Sequence, residues 1–215
     1  MKEKIFLLIL FLFQSIPSLW GQEKISNSFE ERGGNSFMFG LDFQGYQPLF
    51  LGHNFLAKSY RHHPGFLIDS RMGIQDFVGV GLSLGKNVSK VEEFEILGND
   101  FDLARFRQSG VYIYYQHLIG RRMNVEPRIG YGLLSVKHSG PDDFYRLRFE
   151  QFFSGVNVNL AANSAKSLIF HGGIQYALLS GVDIVINPED KKYITKSNGL
   201  QFSFGMRLEF HGFWK

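Results

Sequence analysis

Residues 201–210 read Gln-Phe-Ser-Phe-Gly-Met-Arg-Leu-Glu-Phe. From Leu200 to Phe210 every even position is apolar, and from Gln201 to Glu209 every odd position is small or polar. A period of two is the signature of a β-strand, whose successive side chains leave opposite faces.

The same alternation recurs seven times upstream. Phe37, Phe39, Leu41 and Phe43 stand against Ser36, Gly40, Asp42 and Gln44. Phe66, Ile68, Met72 and Ile74 oppose Asp69, Arg71, Gly73 and Gln75, and Val78, Val80, Leu82 and Leu84 oppose Gly79, Gly81, Ser83 and Gly85. Val111, Ile113 and Tyr115 oppose Tyr112, Tyr114 and Gln116; Val125, Ile129, Tyr131 and Leu133 oppose Glu126, Arg128, Gly130 and Gly132. A sixth segment begins with Leu147 and Phe149 opposite Arg148 and Glu150, then places Val156, Val158 and Leu160 on even positions. One extra residue swaps the faces of a strand, so the pattern predicts a bulge near Ser154 and Gly155. Leu168, Phe170, Ile174, Tyr176 and Leu178 against His171, Gly173 and Gln175 form the seventh.

The intervals alternate in length: long near residues 48–64, 87–106, 137–144 and 181–198, short near 75–77, 119–123 and 159–166. Eight strands therefore read as an antiparallel up-and-down meander with long connections at one end and tight turns at the other. Closing it into a barrel removes the two open edges. Pro127, near the start of the fifth segment, costs a ladder bond or marks a bulge.

Alternation does not say which face meets water, since a lipocalin-like barrel also alternates. Lysine placement separates the two: none of the lysines after residue 21 falls in the middle of a proposed strand. The polar face instead holds Asp42, Asp69, Arg71, Glu126, Arg128, Arg148, Glu150, Arg207 and Glu209 among Gly, Ser and Gln. Near-balance of sign fits a confined interior, where an unpaired charge is costly and Arg engages carboxylates through a planar fork. The Phe/Leu/Ile/Val face then meets hydrocarbon, and Phe77, Phe213 and Trp214 at one end with Phe50, Tyr60, Phe106, Tyr145 and Tyr193 at the other are expected to form interfacial girdles.

The N-terminus carries Lys2 and Lys4, then nine apolar residues, Ile5 to Phe13, then the breakers Gln14, Ser15 and Pro17, with Gly21 before Gln22. This is the plan of a cleaved secretory signal over residues 1–21. Nine apolar residues fall short of the roughly 20 a spanning helix needs. Residues 22–34 are a short N-terminal segment and residues 35–215 the barrel.

The chain resembles the small bacterial outer-membrane β-barrel proteins, eight-stranded and up-and-down, over essentially all of residues 35–215. The final strand is similar to the terminal signal that family presents to the barrel-assembly machinery, with Gly205 in mid-strand and Leu208 and Phe210 alternating after it. Five more residues follow Phe210, where the family often stops on the aromatic. The resemblance implies a Gram-negative outer membrane, with its lipid and the assembly machinery as partners.

Activity is less legible. With no Cys there is no disulfide framework, Cys-ligated zinc or thiol catalysis. A net charge of +3 gives no argument for nucleic acid. Ser203, His171 and Glu209 share the polar face, but such a trio arises readily by chance, so no residue is assigned a catalytic role. His53, His62 and His63, and the acidic run from Glu92 to Asp102, read as solvated loops rather than metal sites, and no cofactor is implied. A polar interior of this kind serves a stabilising plug, or else a pore or ligand path. The reading that follows is a non-enzymatic envelope protein with structural, adhesive or ligand-binding outer loops and an unspecified extracellular ligand. A lipid-modifying hydrolase or acyltransferase, or a narrow conduit for small solutes, are the alternatives.

Overall fold

The computed structural model describes residues 36–73, 77–92, 102–120, 122–139, 144–162, 167–182 and 193–213. The proposed signal, residues 22–34, Ile74 and Gln75 of the second segment, most of the acidic run (93–101) and Trp214 lie outside the described residues.

Eight strands form the wall: β1 (Ser36–Leu51), β3 (Gly65–Gly73), β4 (Val78–Val91), β5 (Leu103–Tyr115), β7 (Met123–Ser139), β8 (Phe144–Ala161), β9 (Leu168–Val182) and β10 (Lys196–Phe213). Each pairs antiparallel with its sequence neighbour, and β10 returns to pair with β1 from Ser36↔Phe213 to Leu51↔Asn198, which closes the barrel. A short helix, α1 (Phe55–Lys58), and a three-residue strand, β2 (Tyr60–His62), lie between β1 and β3, and β2 pairs with the far end of β4. The two-residue β6 (His117–Leu118) follows β5 and pairs with β7. No helix among the described residues is long and apolar enough to cross a membrane, which leaves the strands to do so.

The outer wall is apolar in a continuous belt. Phe39, Phe43, Phe66, Leu82, Leu84, Val111, Ile113, Tyr131, Leu133, Phe152, Ile174, Leu178 and Phe204 are all exposed, Phe204 at 71%. Water would penalise a patch of this size on a monomer, whereas hydrocarbon makes it costless.

The strands run further than the alternation suggested. β8 and β10 have 18 residues each, and the predicted long connections at 87–106 and 137–144 begin and end inside strands. A membrane needs only about 9–11 residues per strand, so the end with the long connections rises out of the belt. There the faces exchange roles. Lys86, Lys90, Arg105, Arg107, Lys137, Arg146 and Arg148 point outward, while Ala104, Phe106, Leu134, Val136, Leu147 and Phe149 point inward and are buried.

Three expectations change as a result. Arg148 and Glu150 are exposed on the outer wall and take no part in the interior. No bulge interrupts β8, whose register with β7 and with β9 is unbroken through Ser154 and Gly155. The switch from Leu147 and Phe149 to Val156 and Val158 is therefore a change of surroundings on a regular strand, from water outside to lipid outside. Tyr60 and Phe106, expected in a girdle, are buried inside the protruding end. Pro127 makes no bulge in the β7–β8 ladder either; it sits where β5 pairing ends at Tyr114↔Arg128, before β6 resumes at His117↔Val125. A residue with no N–H is tolerated at such a gap.

Because the native chain has no Cys, single cysteines report the faces cleanly. Arg148→Cys and Glu150→Cys are expected to react with a membrane-impermeant maleimide in vesicles, and Phe149→Cys to stay protected until the barrel is unfolded. The bulged reading gives the reverse pattern.

Candidate functional site: a two-storey lumen

The inward residues of the belt section form one polar network. Arg207, fully buried on β10, sits at its centre. Its Nε donates to Asp42 Oδ2 at 2.9 Å, and its Nη1 reaches Glu126 Oε2 and Glu209 Oε1, both at 3.3 Å. Arg71 Nη1 lies 2.7 Å from the same Glu126 oxygen, and His171 Nε2 lies 2.7 Å from Asp42 Oδ1. A second group gathers on Asp69, whose Oδ2 receives Gln44 Nε2 at 2.9 Å and Arg128 Nη1 and the Tyr112 hydroxyl at 3.4 Å. Asn157 and Asn159 donate to Glu126 from β8. Three guanidiniums thus face four carboxylates, drawn from β1, β3, β7 and β10.

Glycines opposite the long side chains make this filling possible. A Cβ at Gly81 would overlap the Tyr112 ring, and one at Gly40 would stand 2.7 Å from Arg71 Cγ. Arg71 in turn lies over the Tyr114 ring, 3.7 Å from its centroid.

The protruding end is filled quite differently. Phe55 and Leu56 of α1 and Tyr60 of β2 fold into the mouth and pack against Val91, Ala104, Phe106, Leu134, Val136, Leu147, Phe149, Leu179 and Ile194. Asn54 caps α1 by accepting from Ala57 N and also receives the Ser197 hydroxyl at 2.8 Å, which ties the plug to β10. Tyr60 meets Phe55 and Phe106 edge-on, and its hydroxyl lies 2.6 Å from His138 Nε2. The space between the storeys, lined by Tyr46, Asn87, Gln108, Gln151 and Gln201, is about 30 Å³, room for a water molecule or two.

Of the predicted interior residues, Asp42, Asp69, Arg71, Glu126, Arg128, Arg207 and Glu209 meet in the lumen; Arg148 and Glu150 do not. His171 contacts Asp42 in the network. Gly205 faces inward on β10, where a Cβ would press on the β1 backbone at Phe43, while Leu208 and Phe210 face outward. The apolar plug was missed, although Phe55, Leu56 and Tyr60 within a supposed loop were its signal. No group of His and acids among the described residues is arranged to hold a metal ion.

Neither a protein-family model nor a curated protein sequence matches the chain. Solved structures do. The attachment invasion locus protein Ail of Yersinia pestis aligns with a TM-score of 0.51 at 14% identity, covering 82% of this chain and 99% of that one. Neisserial surface protein A aligns at 0.54 and 12%, covering 81% and 97%. The fold is the eight-stranded outer-membrane β-barrel. The N-terminal barrel domain of OprF of Pseudomonas aeruginosa shares it at 0.50 and 9% identity, covering 83% and 100%. The chain shares that fold, and its apolar belt is what a strand wall in hydrocarbon requires.

Two outcomes follow from the lumen. Arg207→Met leaves Asp42, Glu126 and Glu209 facing one another, so denaturant unfolding in lipid vesicles should lose about 3–5 kcal/mol, against under about 0.5 kcal/mol for the exposed Arg148→Gln. The second concerns His62, half-buried in the plug above the belt. The Leu56 carbonyl can only accept, so Nε2 carries the proton at 3.0 Å and Nδ1 receives the Ser89 hydroxyl at 2.9 Å. Burial pushes its pKa below 6.5; the Leu56 bond opposes this and neighbouring His63 reinforces it. Below about pH 6.5 the opened segment therefore takes up a proton that the folded plug resists, and plug stability falls with pH. Protection factors of the 54–62 amides, which remove the intrinsic pH dependence of exchange, should fall as pH drops from about 7.5 to about 5.5, and His62→Gln should flatten that fall.

Proposed function

We propose that this protein is a solute-tight, non-enzymatic display barrel, which holds its outer rim and connections at the cell surface for structural, adhesive or ligand contacts. The filled lumen carries the reading: charged side chains close the membrane section and an apolar plug closes the mouth, with a water-sized space between them. A barrel of eight strands has an interior just wide enough for side chains to fill, and here they do so twice. The lipid-modifying alternative draws nothing from His171, whose contact is with Asp42 deep in the lumen, away from acyl chains outside. In this reading the outer-membrane lipid is the barrel's solvent. The β10 strand, with Gly205, Leu208 and Phe210, is the segment handed to the barrel-assembly machinery, since it is the one that closes on β1.

Planar bilayers test the proposal. The wild-type barrel should show no stepwise conductance in molar salt. Reproducible single-channel steps from the wild type would make it a conduit and overturn the sealed-barrel reading.

A further inference from the structure

Among the described residues, the most exposed large apolar side chain is also an isolated one. Phe204 on β10 is 71% exposed, and both its cross-strand neighbours are glycine, Gly45 on β1 and Gly172 on β9. Gly40 and Gly81 make room for side chains inside the barrel, but a Cβ at Gly45 or Gly172 would meet nothing across the ladder nearer than 3.8 Å. The barrel's own packing therefore gives no reason for these two glycines. Glycine inside a strand often marks a place where another molecule comes close. Phe204 stands as a rigid ring with bare backbone on either side.

The opposite side of the wall carries a trough. Val80, Leu82, Val111 and Ile129 rim an open hollow of about 780 Å³. Gly81 and Gly130, whose Cβ positions point inward at Tyr112 and Phe153, leave only backbone at its floor. The trough is centred on β4, β5 and β7, and three strands separate β5 from β10 in either direction around the wall. Ring and trough also share one depth. From Phe204 the pairing leads through Gly45 and Phe66 to Lys86 on β4. With strands tilted about 35–45°, these three steps across the sheet climb roughly 9 Å toward the end with the long connections. Returning along β4 from Lys86 to Leu82 descends by about 10 Å. Phe204 is thus level with Leu82, inside the apolar belt.

We propose that this barrel associates laterally with further copies of itself, Phe204 of one copy seated in the β4–β5–β7 trough of the next. The proposal rests on the belt lying in a bilayer and is independent of whether the lumen is sealed. Copies inserted the same way up can meet only through features at equal depth, which these are. In hydrocarbon, close packing and released lipid drive association rather than the hydrophobic effect, as for transmembrane helices. A protruding ring with bare flanks suits that kind of contact. An acyl chain in the trough accounts for neither the ring nor its two glycines. Phe43, Phe202 and Met206, all exposed, stand diagonally around Phe204 and enter the contact with it. Because ring and trough lie on opposite sides, the contact is head-to-tail and does not close on itself, so it builds rows in the membrane plane.

The test uses the full barrel in phosphatidylcholine vesicles. Copies carrying Lys58→Cys on exposed α1, labelled with donor or acceptor dye, report association by energy transfer as the protein-to-lipid ratio rises. The wild type should associate beyond random proximity. Phe204→Ala should weaken association about tenfold. Gly45→Leu should weaken it in the same direction, and Leu160→Ala, exposed on β8, should leave it unchanged. The chain has no Cys, so oxidative cross-linking fixes the geometry. Met206→Cys copies mixed with Val80→Cys copies should form dimers, the double variant a ladder of longer species, and neither single variant alone should cross-link. A wild type that stays monomeric, its trough holding only acyl chain, overturns the proposal. So does undiminished association of Phe204→Ala, or Met206→Cys pairing with itself. Heat-dependent gel mobility is read for every variant: its absence in the wild type would sink the membrane-barrel reading and the proposal with it. If Phe204→Ala fails to fold, Gly45→Leu carries the measurement.

Discussion

The structure is organised by a change of solvent along a single wall. Over the belt, the outside of the barrel touches hydrocarbon, so apolar side chains face out and polar ones must find partners within. Above the belt the outside touches water, and the same strands turn their charges outward and their apolar residues inward. The seven other wall strands keep their register through the change; only the line of β3 breaks, where β2 resumes the pairing with β4 one residue out of step. β8 shows it most plainly: Arg146, Arg148 and Glu150 continue on the same face as Phe152, Val158 and Leu160.

Each storey of the lumen answers the medium beside it. In the membrane section, buried carboxylates and guanidiniums cannot reach water, so they are tolerable only as a connected set. Arg207 supplies the connection, joining Asp42, Glu126 and Glu209 from one position. Glycines such as Gly40 and Gly81 leave the volume that Arg71 and Tyr112 fill. In the protruding section there is no lipid to receive apolar side chains, so they collapse inward around Phe55, Leu56 and Tyr60, as in a soluble core. The filling of the lumen follows from two separate physical needs, each met within its own storey.

The outward cations follow the same division. Hydrocarbon excludes Lys and Arg from the belt, and they reappear on β4, β5, β7 and β8 immediately above it.

A period-two pattern with lysine-free strand centres determined the strand count, the up-and-down order and, for seven of the eight strands, which residues face lipid. It also picked out Asp42, Asp69, Arg71, Glu126, Arg128, Arg207 and Glu209, because a charge on an otherwise apolar lipid-facing strand has only the lumen to occupy. Three things needed the folded barrel. Arg148 and Glu150 lie on a polar-looking face whose direction depends on height, and alternation carries no information about height. The plug unites Phe55 and Tyr60 with Phe106, Val136 and Phe149, residues far apart in the chain that meet only when the wall closes. The partners of Arg207 were likewise hidden, because register and closure, set by all eight strands together, decide which carboxylate stands across from which guanidinium.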